Sequence, residues 1–240
     1  MNRLNTKPNS YYPVFLNIFR KQCVVIGGGE VALRKVEGLL ERGADLTVIS
    51  PDFHPDLIQL SKEKAIQLIR RDYQPGDLEN ARMAIVATNH SKKNRQIAQE
   101  ARKQGILVNV ADDPEGSDFI LPSFFQRGKL TFAISTGGAS PALSKKIRIE
   151  LEKKFGEEFS GLVNLVEEVR SSLRSRKIHA SPEIWQEALD LDKLIILIQT
   201  GQMDEARTFL LGRLGVPPKL KKRTWANRSS RLRKAKIDEN

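Results

Sequence analysis

Cysteine is almost missing from this chain. Its 240 residues include one, Cys23, so no internal disulfide can form and a disulfide-stapled scaffold is excluded. A lone thiol suits a reducing compartment, and the cytoplasm is the expected location. Histidine is scarce as well. His54, His90 and His179 stand far apart without the spacing of metal ligands, and Cys23 lies inside an apolar run, so no metal site is read. A histidine-centred acid–base mechanism therefore has little support. No apolar run approaches the roughly 20 residues that span a bilayer. Residues 1–10 are polar, without the apolar core of a secretion signal, so neither export by that route nor a membrane anchor is expected.

Charge of one sign is in excess: 40 Lys and Arg against 29 Asp and Glu, a formal +11. Such a balance raises nucleic acid, a membrane surface or an anionic small molecule as partners. Its distribution narrows the choice. From Pro217 to Asn240 nine Lys or Arg face only Asp238 and Glu239, a net of +7, which leaves +4 for the rest. This run has too few large apolar residues to offset the entropy of ordering it, so 217–240 is expected to be a solvated tail. It reads either as a solubilising extension or as an arm for a polyanion. Nothing around Trp225 forms a stacking platform, and nucleic acid is not the expected partner.

Short β-branched runs alternate with helical stretches through the first half: Cys23–Gly27, Asp45–Ile49, Ile66–Ile69, Met83–Ala87 and Ile106–Val110. This is the rhythm of a parallel α/β sheet. Ala32, Val36, Leu39 and Leu40 fall at helical spacing over Val31–Arg42, which Gly43 stops. A second helix over Ser91–Gln104 is expected to start on Ser91 as its N-cap. Beyond Asp112 the pattern changes. Phe119–Phe125 is an apolar stretch, Leu130–Ser135 reads as a strand, and Pro141 opens a basic helix to about Lys154. Only helices follow, with stripes at Leu162, Leu165, Val166 and Val169, at Ile184–Ile198, and at Gln202–Leu214. The expected division is a Rossmann-like dinucleotide-binding part (1–118), a mixed segment (119–154), a small helical domain (155–216) and the tail (217–240).

The strongest local signal is Gly27-Gly28-Gly29-Glu30-Val31-Ala32, a G-x-G-x-x-A run between a strand and a helix. Glycine permits the tight turn and lets a pyrophosphate approach the backbone; a small third residue lets helix pack on strand. The helix N-terminus then offers unpaired N–H groups to the phosphates. An acid should end the second strand to hold the ribose hydroxyls. Here Ser50 stands at the tip, followed by Pro51 and Asp52, and either Ser50 or Asp52 could reach the ribose. No Arg follows directly to hold a 2′-phosphate, which favours NAD over NADP. Thr88 and Asn89, after the fourth strand, lie on the edge where such sheets bind ligands.

For chemistry, Asp112 and Asp113 stand where the fifth strand runs out, on the same edge. They read either as an Asp-Asp-Pro turn or as a base that takes a proton while a nicotinamide receives hydride. A second glycine turn, Ser135-Thr136-Gly137-Gly138, precedes a helix with Ser140 at its cap and Pro141 at its first position. Lys145, Lys146 and Arg148 follow, so this helix start is either a simple capped terminus or an anion site.

These pieces together resemble one family. Tyr12–Leu16, Val25–Lys35, Asn109–Asp112, Phe119–Ser123 and Ser135–Pro141 look like the precorrin-2 dehydrogenase family, which includes stand-alone enzymes and the N-terminal part of siroheme synthases. The resemblance covers about 11–153; the helical region agrees in type only. It implies NAD-dependent oxidation of precorrin-2 to sirohydrochlorin by a homodimer whose subunits interlock through the region around Phe119–Lys154. It assigns the key catalytic carboxylate to Asp112 and nucleotide contacts to Glu30, Val31, Pro51 and Asp52. Ser123, Thr136, Gly137, Gly138 and Lys145 become candidate contacts for the anionic tetrapyrrole. Thr136 stands where some siroheme synthases have serine. Some relatives also insert iron, and the sequence leaves that ferrochelatase activity open. The chain is expected to be too short for a methyltransferase domain. The rival reading, a regulatory module that senses NAD without turnover, needs no catalytic carboxylate.

Overall fold

The computed structural model describes residues 11–216, so the run expected to form a basic tail lies outside the described residues. Five parallel strands form the main sheet: β1 (Gln22–Ile26), β2 (Asp45–Ile49), β3 (Gln67–Ile69), β4 (Met83–Val86) and β5 (Leu107–Val110), in the order β3-β2-β1-β4-β5. All five correspond to the expected runs. The first crossover, α1 (Glu30–Leu40), joins β1 to β2. The next, α2 (Pro55–Lys62), leads to β3, and α3 (Ser91–Lys103) joins β4 to β5. The order reverses between β1 and β4, and at such a switch point diverging loops open a crevice at the carboxyl ends of the strands.

Helices on both faces explain why the strands are continuously apolar rather than alternating. Cys23, Val25, Val48 and Ile85 point to one face and pack with Ala32, Leu33 and Val36 of α1 and Leu57 of α2. Val24, Ile26, Ala84 and Val86 point to the other and pack with Ile97, Ala98 and Ala101 of α3. The α3 start departs from expectation. Ser91 is its first helical residue and His90 the cap, without a side-chain cap bond. Thr88 and Asn94 organise this end instead: Asn94 Nδ2 donates to Thr88 O at 2.9 Å, and Thr88 Oγ1 accepts from His90 N at 3.2 Å.

β5 is an edge strand, and an edge with unpaired N–H groups invites aggregation. The chain beyond it folds back and closes the edge with side chains. Val108 N donates to Asp118 Oδ2 at 3.1 Å and Val110 N to Ser117 Oγ at 2.9 Å, while Asp118 N donates to Val108 O at 2.8 Å.

The apolar stretch expected at Phe119–Phe125 contains a strand, β6 (Ser123–Arg127), which pairs with β7 (Leu130–Ile134) across Gly128 and Lys129. Then come α4 (Pro141–Lys154), as expected, and α5 (Glu158–Ser175). The stripe Ile184–Ile198 proves to be two helices, α6 (Pro182–Ala188) and α7 (Leu191–Gln199). Leu189 leaves the helical conformation, and Asp190 caps α7 by accepting from Lys193 N at 3.0 Å. The last helix among the described residues is α8 (Met203–Arg213).

Contacts divide the described residues into two compact units, one of residues 11–123 and 133–147 and one of 124–132 and 148–216, so the segment 119–154 contributes to both. In the second unit, Leu165, Val169, Leu194, Leu210 and Leu211 form the core of α5, α7 and α8. Phe125, Phe132, Phe155 and Phe159 pack in series, the first pair stacked and the next two tilted, with centroids 4.6, 4.5 and 4.9 Å apart. Arg127 closes the C-terminal end of α4, donating through Nε to Phe155 O at 2.9 Å and through Nη2 to Glu152 O at 3.1 Å.

Candidate active site

The three glycines after β1 do different work. A methyl at Gly27, whose φ is +119°, would lie 2.2 Å from Ala87 O, where the ends of β1 and β4 touch. One at Gly28 would lie 1.9 Å from Asp52 O, because the loop after β2 runs under the turn and His54 N donates to Gly28 O at 2.7 Å. Both glycines are therefore required by the protein itself. Gly29 is not: it has φ −88° and ψ −170°, and a methyl there would meet nothing within 4 Å. It caps α1 without any side chain to satisfy the first N–H groups, so the space before it is open at a helix N-terminus. Such a helix start favours an anion. Ala32, fully buried, provides the close packing of α1 on the sheet. Glu30 and Val31 form the first turn of α1, and Glu30 Oε2 lies 3.6 Å from His54 Nε2.

Beyond β2, Ser50 is buried while the side chain of Asp52 is 99% exposed. Pro51 carries no side-chain donor, but its carbonyl accepts from Arg70 Nη1 at 3.2 Å, and the same Nη1 lies 3.9 Å from Asp52 Oδ1. Arg70 also stands over the Phe53 ring at 5.2 Å. Arg70 follows the third strand rather than the second, so sequence adjacency does not point to it. The register of β2 with β3 brings it there, and that register was the available signal. Thr88 is committed to Asn94, whereas Asn89 is exposed on the same edge.

The two carboxylates after β5 separate by role. Asp113 is part of the turn: its Oδ1 accepts from Gly116 N at 2.9 Å and its carbonyl accepts from Ser117 Oγ at 2.8 Å. Asp112 is exposed and holds a left-handed backbone with φ +60°, an arrangement that Asp tolerates better than most residues but that still costs about 1 kcal/mol. The Ser117 and Asp118 bonds fasten this loop to β5. A further residue missed in the sequence is Lys35 of α1. Burial, with Arg34 beside it, lowers the pKa of its ammonium from the ordinary 10.5, and the negative charge of Asp112 opposes that shift.

The second glycine turn belongs to the same compact unit. Gly137 and Gly138 have φ of +62° and +89°. Thr136 Oγ1 accepts from Ser140 N at 3.0 Å and lies 3.2 Å from Ser144 Oγ, and Ser140 Oγ caps α4 by accepting from Leu143 N at 3.2 Å. The Thr136 hydroxyl thus ties the turn to the helix start. Lys145 is exposed on α4, and Ser123 is the first residue of β6. Among the described residues no group of three or more His, Cys, Asp or Glu is placed to hold a metal, and no helix is long and apolar enough to cross a membrane.

A family model described as putative NAD(P)-binding matches residues 14–123, and one for the sirohaem biosynthesis protein central region matches 127–154. Siroheme synthase of Nitrosococcus oceani is 37% identical over 198 residues, which is 82% of this chain and 42% of that protein. That of Chromobacterium violaceum is 35% identical over 182 residues, 75% of this chain and 39% of that protein. The chain thus spans less than half the length of these relatives. The solved structure of SirC, precorrin-2 dehydrogenase, superposes with a TM-score of 0.63 at 26% identity, over 85% of this chain and 98% of that one. By these matches the chain belongs to the family of precorrin-2 dehydrogenases and siroheme synthases.

Proposed function

We propose that the chain oxidises precorrin-2 to sirohydrochlorin, with NAD as the acceptor and Asp112 as the base. The observation that carries this reading is the pairing of the open helix start at Gly29 with an exposed, loop-anchored carboxylate at Asp112 on the carboxyl edge of one sheet. Gly27, Gly28 and Gly29 hold the pyrophosphate, with Glu30 and Val31 lining the same helix start. Ser50, Pro51 and Asp52 receive the adenosine ribose, and Thr88 and Asn89 border the nicotinamide side. When bound, NAD supplies the hydride acceptor. The substrate loses one hydride and one proton, and Asp112 takes the proton. The α1 N-terminus favours the charge of the phosphates. NAD is preferred over NADP because the exposed Asp52 would repel a 2′-phosphate, and Arg70 is already turned to Asp52 and Pro51.

Ser123, Thr136, Gly137, Gly138 and Lys145 are assigned to the carboxylate arms of the tetrapyrrole. The homodimer reading is supported by exposed Leu121, Leu143 and Ile147 in the segment 119–154, apolar surface of the kind an interface covers. A cytoplasmic site agrees with the single reduced thiol.

The test is anaerobic mixing of precorrin-2 and NAD with the protein, followed by absorbance of reduced nucleotide and of the product chromophore. Asp112→Asn keeps the left-handed backbone and the side-chain shape but removes the base. It should bind NAD normally and lose turnover by at least 100-fold; wild-type turnover in Asp112→Asn would refute the assignment.

A further inference from the structure

Glu30 stands in the first turn of α1, where its carboxylate and a bound pyrophosphate would contend for the same unpaired N–H groups. An acid in a first turn is drawn to the positive end of its own helix, and there it would repel the phosphates. In the structure it lies elsewhere. The start of α1 has no side-chain cap bond, and Glu30 Oε2 lies 3.6 Å from Nε2 of His54. His54 is itself fixed at three points that do not involve Glu30. Its backbone N–H donates to Gly28 O at 2.7 Å, which holds it under the glycine turn. It caps α2, and its Nδ1 accepts from Asp56 N at 3.3 Å. Pro55 follows as the first residue of α2 and keeps the His54 backbone out of the helical region. With Nδ1 an acceptor, the ring carries its proton on Nε2, the atom that faces Glu30. Asp56, whose Oδ2 lies 3.6 Å from Nδ1, is the other carboxylate beside the ring. The imidazole, with its side chain 30% exposed, thus bridges the starts of α1 and α2.

We infer that His54 is a positioning residue for the dinucleotide: its Nε2–H draws the Glu30 carboxylate aside to the start of α2 and leaves the α1 N–H groups to the pyrophosphate. The inference rests on the NAD-dependent reading and deepens it. His54 touches neither the substrate nor the reacting atoms. It acts on the affinity for the cofactor, and so on the KM for NAD rather than on kcat.

Two variants divide the ring between its nitrogens. His54→Asn puts an acceptor oxygen where Nδ1 stands and keeps the α2 cap, but has nothing at the place of Nε2. His54→Gln puts an amide N–H where Nε2 stands and gives up the short cap. Calorimetric titration with NAD, urea unfolding and anaerobic turnover of precorrin-2 compare both with the wild-type chain. His54→Asn should unfold near the wild-type midpoint yet bind NAD about three- to tenfold more weakly, with a matching rise in the KM for NAD and a much smaller change in kcat. His54→Gln should unfold earlier yet recover most of the affinity. In a Glu30→Gln background His54→Asn should no longer weaken NAD binding, because no carboxylate is left to be held aside. The inference is overturned if His54→Asn binds NAD like the wild type, if His54→Gln fails to relieve its loss, or if the loss is the same with and without Glu30. It is overturned too if the wild-type chain binds no NAD. A wild-type chain that shows this pattern of NAD affinities but leaves precorrin-2 unoxidised refutes the dehydrogenase reading and keeps the role of His54.

Discussion

The adjacent glycines Gly28 and Gly29 offer a paired experiment, because the same added methyl should harm the fold at one and the ligand site at the other. In Gly28→Ala the methyl would sit 1.9 Å from the carbonyl oxygen of Asp52 and 2.9 Å from Ser50 Cβ. Ordinary contact needs about 3.4 Å, so backbone must move by more than 1 Å, and the His54 N to Gly28 O bond of 2.7 Å is strained with it. Overpacking of this severity costs about 2–4 kcal/mol. Gly29→Ala has no such conflict: φ −88° and ψ −170° suit any L residue, and 4 Å around the new methyl is clear of protein. Its stability should change by less than about 1 kcal/mol, a balance of a poorer N-cap against a less flexible unfolded chain. The same methyl would stand between the pyrophosphate and the N–H groups of α1. Loss of one charge-assisted hydrogen bond, about 1.5–3 kcal/mol, weakens NAD affinity by roughly tenfold or more. Urea unfolding measures the first quantity and calorimetric titration with NAD the second. The reasoning fails if Gly29→Ala binds NAD like the wild type, or if it unfolds as readily as Gly28→Ala.

Three other outcomes follow from particular residues. Burial, with Asp45 nearby, pushes the Cys23 thiol from 9.0 up to about 11, so the fold retains a proton that the unfolded chain loses above pH 9. The resulting stability is fully present below pH 9 and lost as pH rises through 11, at most about 3 kcal/mol; alkaline unfolding of the wild type should therefore be steeper than that of Cys23→Ala. Ser117→Ala removes the acceptor for Val110 N and should cost about 1–3 kcal/mol in thermal unfolding, while lowering kcat because the Asp112 loop loosens. Asp112→Gly relieves the left-handed strain at φ +60° and should raise stability by up to about 1 kcal/mol while abolishing turnover, a stability–activity contrast that Asp112→Asn should lack.

Much of the nucleotide half is readable from the amino acids because its rules are local. Runs such as Asp45–Ile49 become strands with the bounds expected, and the turn at Gly27 carries both its geometry and its purpose in consecutive residues. What escaped reading depends on parallel register or on long loops. Arg70 reaches the loop after β2 only because β3 lies alongside. The stripe Ile184–Ile198 hid a break because Leu189 remains apolar while Asp190 acts as a cap. The cap of α3 shifted to His90 because Thr88 and Asn94 offered bonds that no window centred on Ser91 contains. Of the two adjacent aspartates, only the fold distinguishes Asp113, tied to Gly116, from the exposed Asp112.

The single thiol has one more consequence. Cys23 sits in β1 between β2 and β4 and is 1% exposed, so a thiol-labelling reagent reaches it only when the central strands part. Its modification rate therefore clocks the opening of the sheet rather than the reactivity of sulfur. A dinucleotide that binds only the closed sheet should slow that clock by the factor 1 + [L]/Kd, about a hundredfold at a hundred times its Kd. The chain thus carries, with no added dye or engineered site, a reporter of cofactor occupancy that works without any tetrapyrrole.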